Sequence, residues 1–103
     1  MKRKKINDIP IWANVYVFGS AVFSLTPNDL DLLVVYDPEL CPPNEARNKA
    51  EILAAKLTSH SGLQPHVVVL TKAEEQNVNF IHNEQAVEFY KWQEIGNDKS
   101  RII

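Results

Sequence analysis

Asp29 and Asp31 stand one residue apart at the head of an apolar run, Leu30, Leu32, Leu33, Val34 and Val35. Gly19-Ser20 closes an earlier run, Val15-Tyr16-Val17-Phe18, and only eight residues separate Ser20 from Asp29. In extended backbone the pleat points alternate side chains to one face, so the two carboxylates share a face while Leu30 and Leu32 take the other. Oxygen donors held this way suit hard divalent cations, and magnesium completes its shell with water and nucleotide phosphates. Such ions polarise a phosphorus centre, activate an attacking hydroxyl and stabilise a departing pyrophosphate. Gly19 permits close backbone approach, while the Ser20 hydroxyl and the amides after it can bind phosphate oxygens at a helix start. Asp-x-Asp and Gly-Ser are each unspecific alone. Their conjunction, with apolar strands before the first and after the second, equips a site for a magnesium nucleotide.

The elements that must position these groups are readable in order. Residues 15–18 are short, β-branched or aromatic and closed by Gly19, which predicts a buried strand. Ser20 is placed to cap a helical turn over 21–25, ended by Pro27-Asn28. Residues 30–36 predict a core strand terminated by Asp37-Pro38. Ala46, Ala50, Leu53, Ala54 and Leu57 recur at helical spacing, which predicts a helix over 45–61 with Asn44 as N-cap and Gly62 past its end. Pro65 introduces a strand over 66–70. Thr71 with Glu74 is a capping-box signature for a helix reaching about residue 81. Residues 86–92 suit a strand or a helix. Alternation of this kind implies an α/β (α+β) domain with helices flanking a small sheet. If Ser20 and Asp29 serve one site, their short connection turns the chain back, so their strands are antiparallel neighbours and the sheet is mixed.

Size and charge narrow the classes. The 103 residues, 45% of them hydrophobic, suffice for one modest core, so residues 1–103 are expected to form a single domain. The formal charge of -2 offers no broad attraction for nucleic acid. Lys2, Arg3, Lys4 and Lys5 form a local basic cluster, expected to be part of a solvated, frayed terminus over 1–8. Cys41 is the only cysteine, which excludes an intramolecular disulfide and suits a reducing compartment. Asn7, Asp8, Pro10 and Asn14 interrupt the apolar stretch after the basic cluster, so neither a secretory signal nor a membrane span is expected. A cytoplasmic protein is the resulting expectation. His60 and His82 have no partner at metal-ligand spacing and are expected at the surface or at helix ends. Trp12, Tyr16, Tyr36, Phe80, Tyr90 and Trp92 are expected as core or interface anchors.

Val17-Phe18-Gly19-Ser20 followed by Asp29-Leu30-Asp31-Leu32-Leu33-Val34-Val35 resembles the minimal nucleotidyltransferases of the DNA polymerase β superfamily. The resemblance extends through the next helix to Val69-Leu70-Thr71 and so covers most of the chain. It implies a polymerase β palm-like fold and the transfer of a nucleoside monophosphate from a nucleoside triphosphate, such as ATP, to a hydroxyl acceptor with Mg2+. Ser20, on the turn with Gly19, would then contact the phosphates, and Asp29 with Asp31 would bind the metal. It also suggests an antitoxin-like role with a helical toxin as partner protein. Relatives commonly carry a third carboxylate on the next core strand, to help one metal and accept the acceptor's proton. Here the matching position in Gln64-Pro65-His66-Val67 holds His66. A neutral imidazole can act as a general base, with an ordinary pKa of about 6.5, but brings no negative charge to magnesium.

Two functional classes follow. One is a magnesium-dependent nucleotidyltransferase that acts on a partner or works as a homo-oligomer, with Asp29, Asp31 and His66 as its catalytic groups. The other is a nucleotidyltransferase-like module, weakened by His66, that acts by binding nucleotide or a partner protein. Phe89-Tyr90-Lys91-Trp92 suits the second, because Tyr and Trp favour interfaces. Nucleic-acid binding through the basic cluster ranks below both, since the remaining charge is balanced.

Overall fold

The computed structural model describes residues 10–24, 26–59 and 61–97. The basic cluster, His60 and Leu25 lie outside the described residues. The chain runs β1 (Ala13–Phe18), α1 (Ser20–Phe23), β2 (Asp29–Tyr36), α2 (Pro43–Thr58), β3 (Gln64–Thr71), α3 (Lys72–Val78), α4 (Phe80–Asn83), β4 (Val87–Glu88) and α5 (Phe89–Asn97). The strands form one mixed sheet in the order β3-β2-β1-β4. β1 is antiparallel to both β2 and β4, and β2 is parallel to β3. The antiparallel pairing of β1 and β2 is the one that a shared Ser20–Asp29 site requires.

Strand alternation sorts the side chains into two faces. Val15, Val17, Leu30, Leu32, Val34 and Tyr36 meet α2 and α5 in the main core. Phe18, Asp29, Asp31, Leu33 and Val35 take the opposite face. Leu33 and Val35 are also buried there, so β2 is apolar on both sides beyond Asp31. That explains the unbroken Leu-Leu-Val-Val: a central strand covered on two faces loses its polar alternation. Helix α2 presents Ala46, Ala50, Leu53, Ala54 and Leu57 to the core, and its alanines let the helix approach closely. At the β3 edge, Arg47 Nη1 donates to the Val67 carbonyl at 3.1 Å, and Pro65 has no N–H to offer. Those features blunt an otherwise apolar edge strand.

Several boundaries differ from the sequence expectation. Helix α1 starts one residue early, with Gly19 as its N-cap and no side-chain cap bond, and it ends at Phe23. Ser20 is therefore the first helical residue and leaves its hydroxyl exposed rather than spent on a cap. Helix α2 begins at Pro43 with Pro42 as N-cap, not at Asn44, because a proline in the first turn needs no N–H partner and its φ suits the helix. It ends at Thr58 rather than residue 61. The Ser59 and Ser61 hydroxyls donate to the Lys56 and Thr58 carbonyls at 3.0 and 2.7 Å, taking oxygens that further turns would have used. The helix expected over 72–81 is broken at Asn79, whose left-handed backbone (φ 54) closes α3 and opens α4. The ambiguous segment is both things in turn, a two-residue strand followed by helix α5.

Candidate functional site

The groups singled out by spacing collect at one end of the sheet. Because β1 runs antiparallel to β2 and β3 runs parallel to it, the end of β1 meets the beginnings of the other two. Asp31 is the register partner of Phe18 on β1 and of His66 on β3. Those three residues form a row across one face, and Asp29 lies one pleat further out beside Gln64.

Gly19 follows Phe18 directly, and its turn is in contact with Asp31. A Cβ added at Gly19 would overlap Asp31 Oδ2, and the backbone there has φ +73, where an L side chain is strained. Glycine at 19 is thus demanded twice, by its own dihedral and by the carboxylate lying over it. The amides of Ser20 and Ala21 open the first turn of α1, where a helix N–H has no carbonyl four residues back within the helix. Within that turn Val22 N–H donates to the Gly19 carbonyl at 3.1 Å and Ser24 N–H to the Ser20 carbonyl at 2.8 Å.

His66 leans along the strands toward the outer carboxylate, with Nε2 3.7 Å from Asp29 Oδ1. That separation is too long for a hydrogen bond and suits an ion pair when the imidazole carries a proton. Both side chains are open to solvent, at 59% and 52% exposure. Asp31 is half-buried. Phe80 of α4 packs edge-to-face on Phe18 at 4.9 Å, so an aromatic pair borders Asp31 on the covered side of the face.

Among the described residues no group of three or more His, Cys, Asp and Glu side chains converges as a metal cage. The donor set at this end is two aspartates on one face with an imidazole beside the outer one. It fits magnesium, which takes one or two carboxylates and leaves its remaining positions to water and phosphate. It does not fit a closed structural zinc site, which needs four nitrogen or sulfur ligands.

Behind the turn, Trp92 of α5 donates from Nε1 to the Ala21 carbonyl of α1 at 3.0 Å, in a buried contact between residues 71 apart in sequence. Sequence reading placed Trp92 as a core or interface anchor, and it is in the core, but nothing in the spacing announces its hydrogen bond. Along the face toward β4, a shallow cavity of about 130 Å³ is lined by Asn14, Tyr16, Glu88 and Tyr90. The Tyr16 phenol there is pushed above its ordinary 10.0, first by burial and then by the Glu88 and Glu75 carboxylates. His82 is an exposed residue near the end of α4, away from any second metal ligand. Among the described residues no helix is long and apolar enough to cross a membrane.

No protein-family model matches the chain, no curated protein is significantly similar to it in sequence, and no solved structure is significantly similar to its fold.

Proposed function

We propose that the chain is a magnesium-dependent nucleotidyltransferase domain of the polymerase β type, moving a nucleoside monophosphate from a nucleoside triphosphate to a hydroxyl. The observation that carries this reading is the contact of the Gly19 turn with the Asp31 carboxylate, with Asp29 one pleat away. That contact supports reading the Gly19-Ser20 turn and the two carboxylates as parts of one site rather than as two separate motifs. Asp29 and Asp31 hold the ion, which when bound draws electron density from the α-phosphate and steadies the leaving pyrophosphate. Ser20 and the first amides of α1 orient the phosphate oxygens. The acceptor oxygen bonds to the α-phosphorus, the bond to pyrophosphate breaks, and the hydroxyl proton passes to His66 Nε2. A partner protein as the source of that hydroxyl rests on the family resemblance alone.

His66 supports the second reading as well. An exposed imidazole in the register position of a third acid leaves the site one negative charge short, which favours a weakened domain that acts by binding nucleotide or a partner. One experiment addresses both. The protein is incubated with magnesium, labelled ATP and candidate acceptor proteins, beside Asp29→Ala, Asp31→Ala and His66→Asp. The enzyme reading expects covalent label on an acceptor, lost in both alanine variants. The weakened reading expects label only, or at least tenfold more strongly, with His66→Asp. ATP binding that is absent, or indifferent to all three substitutions, overturns the enzyme reading and the nucleotide-binding form of the second, and favours a module that binds a partner alone.

A further inference from the structure

We propose that Trp92 is a positioning residue for the candidate site: its indole N–H, bonded to the Ala21 carbonyl, fixes the turn that carries Gly19 and Ser20. The inference rests on the nucleotidyltransferase reading only for what the turn is fixed to do.

Helix α1 has four residues, far below the length at which a helix holds itself in water. The Ser20 carbonyl accepts the Ser24 N–H that closes the helix, and the next carbonyl, that of Ala21, is taken by an indole from the far end of the chain. Both residues are buried, Ala21 at 5% and Trp92 at 6% exposure, so neither group has water as a ready substitute. Trp92 is itself fixed. Its ring packs on Phe89 at 5.7 Å, and Phe89 directly follows β4, which pairs with Tyr16 and Val17 of β1. A closed circuit results: β1 leads covalently through Gly19 into α1, and returns through Trp92, Phe89 and β4 to β1. The turn is held at both ends of that circuit. Asp31 needs Gly19 in place because its carboxylate lies over that residue, so a shift of α1 moves phosphate donors and carboxylate relative to each other.

Trp92→Phe keeps an aromatic ring in the core but removes the donor together with part of the buried ring, and amides elsewhere in the core separate the lost bond from general loosening. Hydrogen exchange followed by NMR should then show the Val22 and Ser24 amides of the α1 turn exchanging about tenfold faster, the weight of one lost hydrogen bond. Amides of Leu32 and Val34 in β2 should keep their rates. The dissociation constant for magnesium ATP should rise about tenfold, while that for manganese alone, held by Asp29 and Asp31, stays within about twofold. Unchanged exchange at Val22 and Ser24, or equal acceleration at all four amides, overturns the proposal. Wild-type protein that binds no magnesium ATP overturns the nucleotide reading and leaves the strut to be judged by exchange alone. Should Trp92→Phe fail to fold, the unaltered protein supplies the test. Magnesium ATP should move the Trp92 indole N–H resonance and slow its exchange while leaving Trp12 unmoved, and an indifferent Trp92 signal in the ATP-bound protein overturns the role.

Discussion

Two glycines share a positive φ and differ in what surrounds them, which separates strain from site. Gly19 and Gly62 both have φ +73, but a Cβ at Gly62 meets open space whereas one at Gly19 runs into Asp31. Replacing Gly62 by alanine should cost about 1–2 kcal/mol, the penalty for an L-residue at positive φ, and replacing Gly19 should cost more, since its ψ of -151 lies in a region essentially reserved for glycine and its Cβ meets Asp31; both are read as lower urea midpoints. Only Gly19→Ala should also weaken manganese binding, because Asp31 must swing aside. Equal manganese affinity in the two variants would show that the carboxylate can be displaced at no consequence to the site. At this scale the types and spacing of Gly19, Ser20, Asp29 and Asp31 were legible, since apolar runs on both sides assign them to strand ends. The resemblance pointed to His66 on the next strand, and the register sets it opposite Asp31. The contact of Asp31 with Gly19 and the bond from Trp92 to Ala21 were not, because each depends on how two elements approach, which no local pattern encodes.

Elements begin and end where local chemistry settles the orphan groups of their termini. Helix α3 is the clearest case. Glu74 N–H donates to Thr71 Oγ1 at 3.0 Å and Thr71 N–H donates to Glu74 Oε1 at 2.8 Å, a reciprocal pair visible in advance as Thr-x-x-Glu. Thr71→Ala should lower stability by about 1 kcal/mol in chemical denaturation, and Thr71→Ser should recover most of it. Equal losses for the two would mean the methyl group, not the hydroxyl, matters there. The ends of α2 were misjudged for an opposite reason: Asn44 is a good cap by type, but Pro43 before it is already helical, and hydroxyls at 59 and 61 compete for the last carbonyls. The break at Asn79 hid because asparagine is tolerated within helical patterns as well as in the left-handed conformation. The spacing of apolar residues thus identified the elements, while their limits followed from side-chain hydrogen bonds that spacing does not record.

For the molecule as a whole, the mixed sheet puts the phenols of Tyr36 and Tyr16 on opposite faces, and alkaline pH should reveal this. Tyr36, buried in the main core, is pushed above the ordinary 10.0 by burial first, then by Glu74 and the Cys41 sulfur. Tyr16, on the other face, is pushed the same way by burial, Glu88 and Glu75. Each phenol therefore holds its proton more tightly in the folded chain than in the unfolded one. The unfolded state releases protons first as pH rises, so stability falls with pH above about 10, and the contribution of both tyrosines is fully present below that value. Urea midpoints measured from pH 8 to 11 should be level at first and then decline. Absorbance at 295 nm should show both phenols ionising above the ordinary tyrosine range. Glu88→Gln should bring down the Tyr16 titration alone and Glu74→Gln that of Tyr36 alone, since the two phenols face different carboxylates from different sides of the sheet. A single substitution that moves both phenols together would mean that the faces communicate through the core rather than acting as separate environments. Along β2 itself the Asp29 and Asp31 end stays polar and more open while the strand is buried on both faces further along.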